Sequence, residues 1–296
     1  MSSYTTAQLK AFTPTKQFFV GIDSDGCVFD TMEIKQKECF CPAFVNHFGL
    51  QAVSRYARET WEFVNLYSST RGLNRFPAVV RALDLLGRRA EVKARGVKVP
   101  AMTGLREWVQ RETKLGNPAL EAEVKRTGDP DLARALAWSA DVNVAVKKLV
   151  RNVPPFPLVR ESLEAVRARA DMIVVSQTPT EALVREWQEH SIDRFAAVIA
   201  GQELGTKTEH IAYAAKGKYP VSHVLMVGDA PGDHAAAAAN GALFFPINPG
   251  HEENSWERFH KEGLQRFLDG TFAGPYQHEL LGEFRRYLPE TPPWER

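Results

Sequence analysis

The chain has 296 residues, longer than most single hydrophobic cores, so one large domain or two are expected. With 44% hydrophobic and 25% charged residues the composition is that of a globular protein, and 37 basic against 36 acidic side chains leave no electrostatic footprint for nucleic acid. No apolar stretch is long enough to span a bilayer, and the opening MSSYTTAQLKAFTPTKQFF lacks a signal-peptide pattern, so no membrane partner and a cytoplasmic location are expected. Cys27, Cys39 and Cys41 are too few for a disulfide framework and read as reduced structural thiols.

In chain order, the first strong signal is FFVGIDSDGCVFD at residues 18–30. An apolar run, Phe18–Ile22, reads as a buried strand. It ends in Asp23 and Asp25, whose side chains point the same way on an extended chain. Gly26 lets the backbone turn away and approach a ligand closely. These residues alone fit a plain strand-to-turn exit as well as a catalytic site.

A stretch of about 140 residues without strand-like alternation follows, too long for a simple crossover. Helical patterns lie near 32–48, 52–66, 75–89, 104–115 and 131–151, and NVPPFP at 152–157 makes a return linker. This is expected to be a helical domain inserted into an α/β core. Within it, NLYSSTRGLNRF places Arg71 and Arg75 around Gly72 and Asn74. Arginine forks suit a carboxylate or a second phosphate; the same residues also fit a solvated basic turn.

Four more short apolar runs read as strands: Met172–Ser176, Ala197–Ala200, Val224–Val227 and Leu243–Pro246. Helical patterns separate them, which signals βαβ units and a mostly parallel sheet. From about Glu252 two helical candidates lead to LPETPPWER, a tail that is either frayed or pinned.

Parallel strands bring their carboxyl ends to one edge, where open α/β sheets bind ligands. Each relevant strand delivers a different group there: Asp23 and Asp25, then Ser176, then Lys207 at a helix start, then Asp229 with Asp233 four residues on. A carboxylate cluster of this kind suits Mg²⁺. A hydroxyl, a lysine and helix amino termini beside it suit a phosphoryl group.

These four segments resemble the four motifs of the haloacid dehalogenase-like hydrolase superfamily, in its phosphatase branch. DSDGCVFD is similar to the first motif, with Cys27 where threonine is usual; Ser176, Lys207 and GDAPGD resemble the second, third and fourth. The resemblance spans about 18 to 248 and implies a Rossmann-like parallel sheet core, residues 1–31 and 153–296, with an inserted α-helical cap, 32–152. It further implies Asp23 as nucleophile, Asp25 as general acid and base, and Mg²⁺ held by Asp23, the Asp25 carbonyl and Asp229. Asp233 would position the lysine or a metal-bound water. Lys207 and Ser176 would hold the phosphoryl oxygens, with backbone amides around Gly26 and Gln177 completing the cradle. Arg71, Asn74 and Arg75 are the cap candidates for a small phosphorylated metabolite. Asp25 and the Asp229/Asp233 pair argue against dehalogenase and phosphonatase chemistry. A sugar-phosphate phosphomutase keeps the same core residues and stays open, as does a catalytically idle member that binds a phosphorylated ligand or a protein.

Overall fold

The computed structural model describes residues 4–295. The chain divides into two compact units, one holding residues up to Met32 and Asn152–Leu288, the other Glu33–Arg151 and the segment from Pro289.

The first unit is built on a parallel five-stranded sheet: β1 Phe18–Ile22, β2 Ala170–Val175, β3 Val198–Ala200, β4 Val224–Gly228 and β5 Leu243–Pro246, in spatial order β3-β2-β1-β4-β5. The strands are short apolar runs because the sheet is covered on both faces, and all their residues except Leu243 are buried. Alternation divides them between two cores. Phe18, Val20 and Ile22 pack with Val159, Leu163 and Val166 on one side, while Phe19 packs with Ile211 and Ala237 on the other. The helix Pro231–Ala239 turns Ala236 and Ala237 inward, and these small side chains let it lie close to the sheet.

In register, Val20 stands between Met172 of β2 and Leu225 of β4. The chain moves outward from β1 through β2 to β3, then returns to the other side of β1 for β4 and β5. The strand order therefore reverses between β1 and β4, and the crevice at such a reversal is the favoured place for a ligand.

The second unit is helical. From Glu33 it runs through a π-helical stretch Lys35–Phe40 into Cys41–His47, followed by Ser54–Asn65, Arg75–Arg88, Ala90–Ala94, Thr103–Arg111, Asn117–Thr127 and Pro130–Leu149. Its core is aromatic: Trp61 and Trp138 stand 5.8 Å apart edge to face, and Phe76 meets Trp108 at 5.2 Å. The helix Asn117–Thr127 was not among the expected ones. Only Leu120 of it is buried, so it carries almost no apolar stripe.

The sequence reading kept the last residues with the core. The structure instead pins them to the helical unit. The Ser69 N–H donates to the Pro289 carbonyl, 3.3 Å away. Trp294 meets the edge of Phe63 at 5.5 Å and lies 4.3 Å from the Arg89 guanidinium, whose other neighbour is Tyr56 at 4.8 Å. Arg89 is buried and paired with Glu59 at 2.7 Å and Glu91 at 3.4 Å, so its charge is held between two rings and two carboxylates. Among the described residues, no helix is long and apolar enough to cross a membrane.

Candidate active site

Asp23 continues β1 by one residue, its N–H donating to the Val227 carbonyl at 2.9 Å. Its side chain is buried. One carboxylate oxygen accepts the Ser24 N–H at 2.8 Å, and the other accepts Lys207 Nζ at 2.8 Å. Lys207 is the first residue of the helix Lys207–Ala215. Thr206 fixes that start: its hydroxyl accepts the Glu209 N–H, and its own N–H donates back to the Glu209 carboxylate. The ammonium reaches a second carboxylate, Asp233 Oδ1, at 2.6 Å.

Asp233 folds back over the end of β4, where its Oδ2 accepts the N–H groups of Asp229 at 3.2 Å and Ala230 at 3.0 Å. This return requires Gly228, since a Cβ there would fall 2.5 Å from the Asp233 side chain. Both Asp233 oxygens are thus committed, one to the lysine and one to the backbone.

Burial pushes the Asp23 carboxyl well above its usual range; Lys207 opposes the shift, and Asp233 and Asp229 add to it. Burial alone would lower Lys207, but the charges of Asp23 and Asp233 outweigh it and hold the ammonium firmly protonated. Asp23, Asp229 and Asp233 place carboxylate oxygens within 4.8 Å of one another, all buried, and no other such group of three occurs among the described residues. Three acidic side chains against one ammonium leave negative charge in a dry place. Hard oxygen donors of this kind fit Mg²⁺.

No protein-family model matches this sequence, and no curated protein matches it. Solved structures do. A protein of Lactobacillus delbrueckii subsp. bulgaricus assigned as a phosphoglycolate phosphatase is 15% identical, with a TM-score of 0.50 over 85% of this chain and 98% of its own. A haloacid dehalogenase-like family hydrolase from Streptococcus pneumoniae is 14% identical, covering 84% of this chain and 93% of its own at a TM-score of 0.44. A Thermotoga maritima protein assigned as a β-phosphoglucomutase is 14% identical, covering 77% and 84% at 0.41. At its TM-score of 0.50 the chain shares its fold with the Lactobacillus protein.

Around the acidic cluster, Ser176 follows β2 and donates its N–H to the Ala200 carbonyl at 3.0 Å, while its Oγ accepts the Thr178 N–H at 3.2 Å. The Gln177 side chain donates to the Gly205 carbonyl at 3.0 Å, tying this turn to the loop before Lys207. Gly26 differs from its expected part in a phosphate cradle. With φ +74 it closes the turn, and its N–H is spent on the Phe29 carbonyl at 2.8 Å.

Asp25 accepts hydrogen bonds at both oxygens, from the Thr178 hydroxyl at 2.6 Å and from the Thr31 hydroxyl. Neither threonine stood out in the sequence. Two buried tryptophans also contact the turn. Trp187 Nε1 donates to Ser24 Oγ at 3.0 Å, and Trp256 Nε1 donates to the Cys27 carbonyl at 2.7 Å. His210, one turn beyond Lys207, is fully buried, and burial pushes it down to about 4.

The helical unit holds the other three candidates, and two of them are largely occupied locally. Asn74 caps the helix Arg75–Arg88, accepting the Phe76 N–H at 3.1 Å, and donates to the Leu115 carbonyl at 3.0 Å. Arg71 is buried, with Nη1 donating to the Leu66 carbonyl at 3.0 Å, so it is no solvated turn residue. Arg75 donates to neutral oxygens, Ser139 Oγ at 2.9 Å and Asn143 Oδ1 at 2.7 Å, and lies over the Phe40 ring.

Proposed function

We propose that this chain is a Mg²⁺-dependent phosphomonoester hydrolase that acts on a small phosphorylated metabolite through an aspartyl phosphate on Asp23. The observation that carries this reading is the Lys207 ammonium, 2.8 Å from Asp23 and 2.6 Å from Asp233, in the crevice where the strand order reverses.

Asp23 and Asp229, with the Asp25 carbonyl, would hold Mg²⁺, and Asp233 orients the lysine. When bound, the cation neutralises charge between an anionic nucleophile and an anionic phosphate. Lys207 and the Ser176 hydroxyl bind the phosphoryl oxygens. An Asp23 oxygen attacks phosphorus as the bond to the ester oxygen breaks, and Asp25 gives that oxygen its proton. The Asp25 carboxylate then takes a proton from water as the water oxygen attacks the same phosphorus. The phosphorus–Asp23 bond breaks, inorganic phosphate leaves, and both aspartates return to their starting states. Burial keeps bulk water from this exchange.

Arg75 is the substrate-recognition candidate in the helical unit that its contacts favour, because its bonds go to neutral oxygens and its charge can pair with a second anionic group on the metabolite.

A screen of phosphorylated metabolites for phosphate release tests this reading directly. Asp23→Asn should abolish release while leaving the fold intact. A variant that hydrolyses an aryl phosphate as fast as the parent would sink the assignment. An isomeric phosphate ester in place of free phosphate would mean a phosphomutase.

A further inference from the structure

The turn that bears Asp23 and Asp25 is closed by the Gly26 N–H on the Phe29 carbonyl and gathered around a second carbonyl. Ser24 O accepts the N–H groups of Cys27, Val28 and Phe29 at 3.3, 2.9 and 3.2 Å. Besides the bonds to the Asp23 and Asp25 carboxylates, three donors reach it from elsewhere in the core: Phe156 N–H to the Val28 carbonyl at 2.9 Å, Trp187 to Ser24 Oγ, and Trp256 to the Cys27 carbonyl. The last spans 229 positions and comes from the segment after β5.

Trp256 stands on the helix Glu252–Arg258, and that helix is anchored on several sides. Ser255 Oγ accepts the Asn248 N–H at 3.0 Å, which fastens the helix to the end of β5. Arg258 reaches Glu279 at 2.8 Å and Glu283 at 3.1 Å on the helix Pro275–Tyr287. A π-helical stretch, Phe259–Gly263, follows, and Gly263 leaves space for the Phe245 ring of β5. Trp256 itself is fully buried and meets Phe259 at 5.5 Å. A rigid bicyclic ring on a braced helix thus ends in one N–H aimed at the backbone two residues past Asp25. The buried Cys27 thiol adds only a weak sulfur bond, donating to the Val227 carbonyl at 3.8 Å. A packing residue needs only its ring there; this one places its single polar atom on the catalytic turn.

We propose that Trp256 is a positioning residue: its indole N–H fixes the Cys27 carbonyl and so the turn presenting Asp23 and Asp25, which makes the segment after β5 part of the active-site machinery. This rests on the hydrolase reading above. Displacing reacting groups by about 1 Å costs roughly a hundredfold in rate, so a loosened turn should act on kcat.

The test is Trp256→Phe, which keeps an aromatic ring and removes the donor, assayed at a temperature where the variant is fully folded. The expected result is a kcat roughly tenfold or more lower, with KM close to that of the parent. Inhibition by orthovanadate should weaken by a similar factor, and amide exchange across residues 24–29 should quicken. A variant that melts earlier but keeps the parent's kcat, vanadate inhibition and exchange would show a packing role only and overturn the proposal. Should the parent itself release no phosphate, the hydrolase reading falls and amide exchange decides the brace: faster exchange upholds it, unchanged exchange overturns it.

Discussion

Thr178 donates its hydroxyl to Asp25 Oδ2 at 2.6 Å, joining the turns that follow β2 and β1 across 153 positions. With Thr31 on the other oxygen, the Asp25 carboxylate is aimed before any substrate arrives. Thr178→Val keeps the shape and removes the donor. It should lower kcat about tenfold or more with little change in KM, since orientation of an acid–base group is felt in the reacting state. Steady-state kinetics on the best substrate from the screen check this, and an unchanged kcat would leave the bond a structural one.

The metal-free site should betray itself through pH. The Asp23 carboxyl lies well above its ordinary value, chiefly because it is buried. The folded state therefore holds that proton more tightly than the unfolded chain, and stability falls as pH rises past the ordinary carboxylate value. On the proposed reading, a divalent cation held by Asp23 and Asp229 would offset this loss. Mg²⁺ should raise Tm more at pH 7 than at pH 4, and Asp229→Asn should shrink the difference. Activity should vanish in excess chelator and return with Mg²⁺.

His210 sets a second pH dependence of opposite sign. Its folded value is near 4 against an ordinary 6.5, with burial as the main cause and the Lys207 charge assisting. The stability from keeping it neutral is full above 6.5 and is lost as pH falls toward 4. The loss is on the order of 3 kcal/mol for one proton. Urea unfolding of His210→Leu should show a flatter profile than the parent between those limits.

Trp294 closes one face of the Arg89 guanidinium in the helical unit. Trp294→Ala should cost that unit about 2 kcal/mol, the scale of a desolvated cation–ring contact, and differential scanning calorimetry should show the loss. A variant as stable as the parent would mean that Tyr56, Glu59 and Glu91 suffice.

What the sequence revealed was whatever each segment determined by itself. Phe18–Ile22 and Leu243–Pro246 were bounded as observed because a strand buried on both faces must be a short, unbroken apolar run. Asp23, Lys207, Asp229 and Asp233 were legible because parallel strands can only bring their ends to one edge. Thr178 with Asp25, and Trp256 with Cys27, were not, since nothing in a local pattern says which distant donor meets which acceptor. Gly26 shows the reverse limit: its conformation was readable, but the partner of its N–H was not. Asn117–Thr127 escaped because a helix that buries one leucine leaves no periodic trace.

The helical unit would be difficult to transplant. Its bulk, Glu33–Arg151, is a single insertion that could be cut out at two points, yet the unit also takes in the segment from Pro289. A chimaera that moved only the insertion onto another core would leave Arg89 with one ring face bare. Specificity grafts between such proteins would therefore have to carry two pieces of sequence, and a swap that ignored the second would confuse a damaged scaffold with a changed substrate preference.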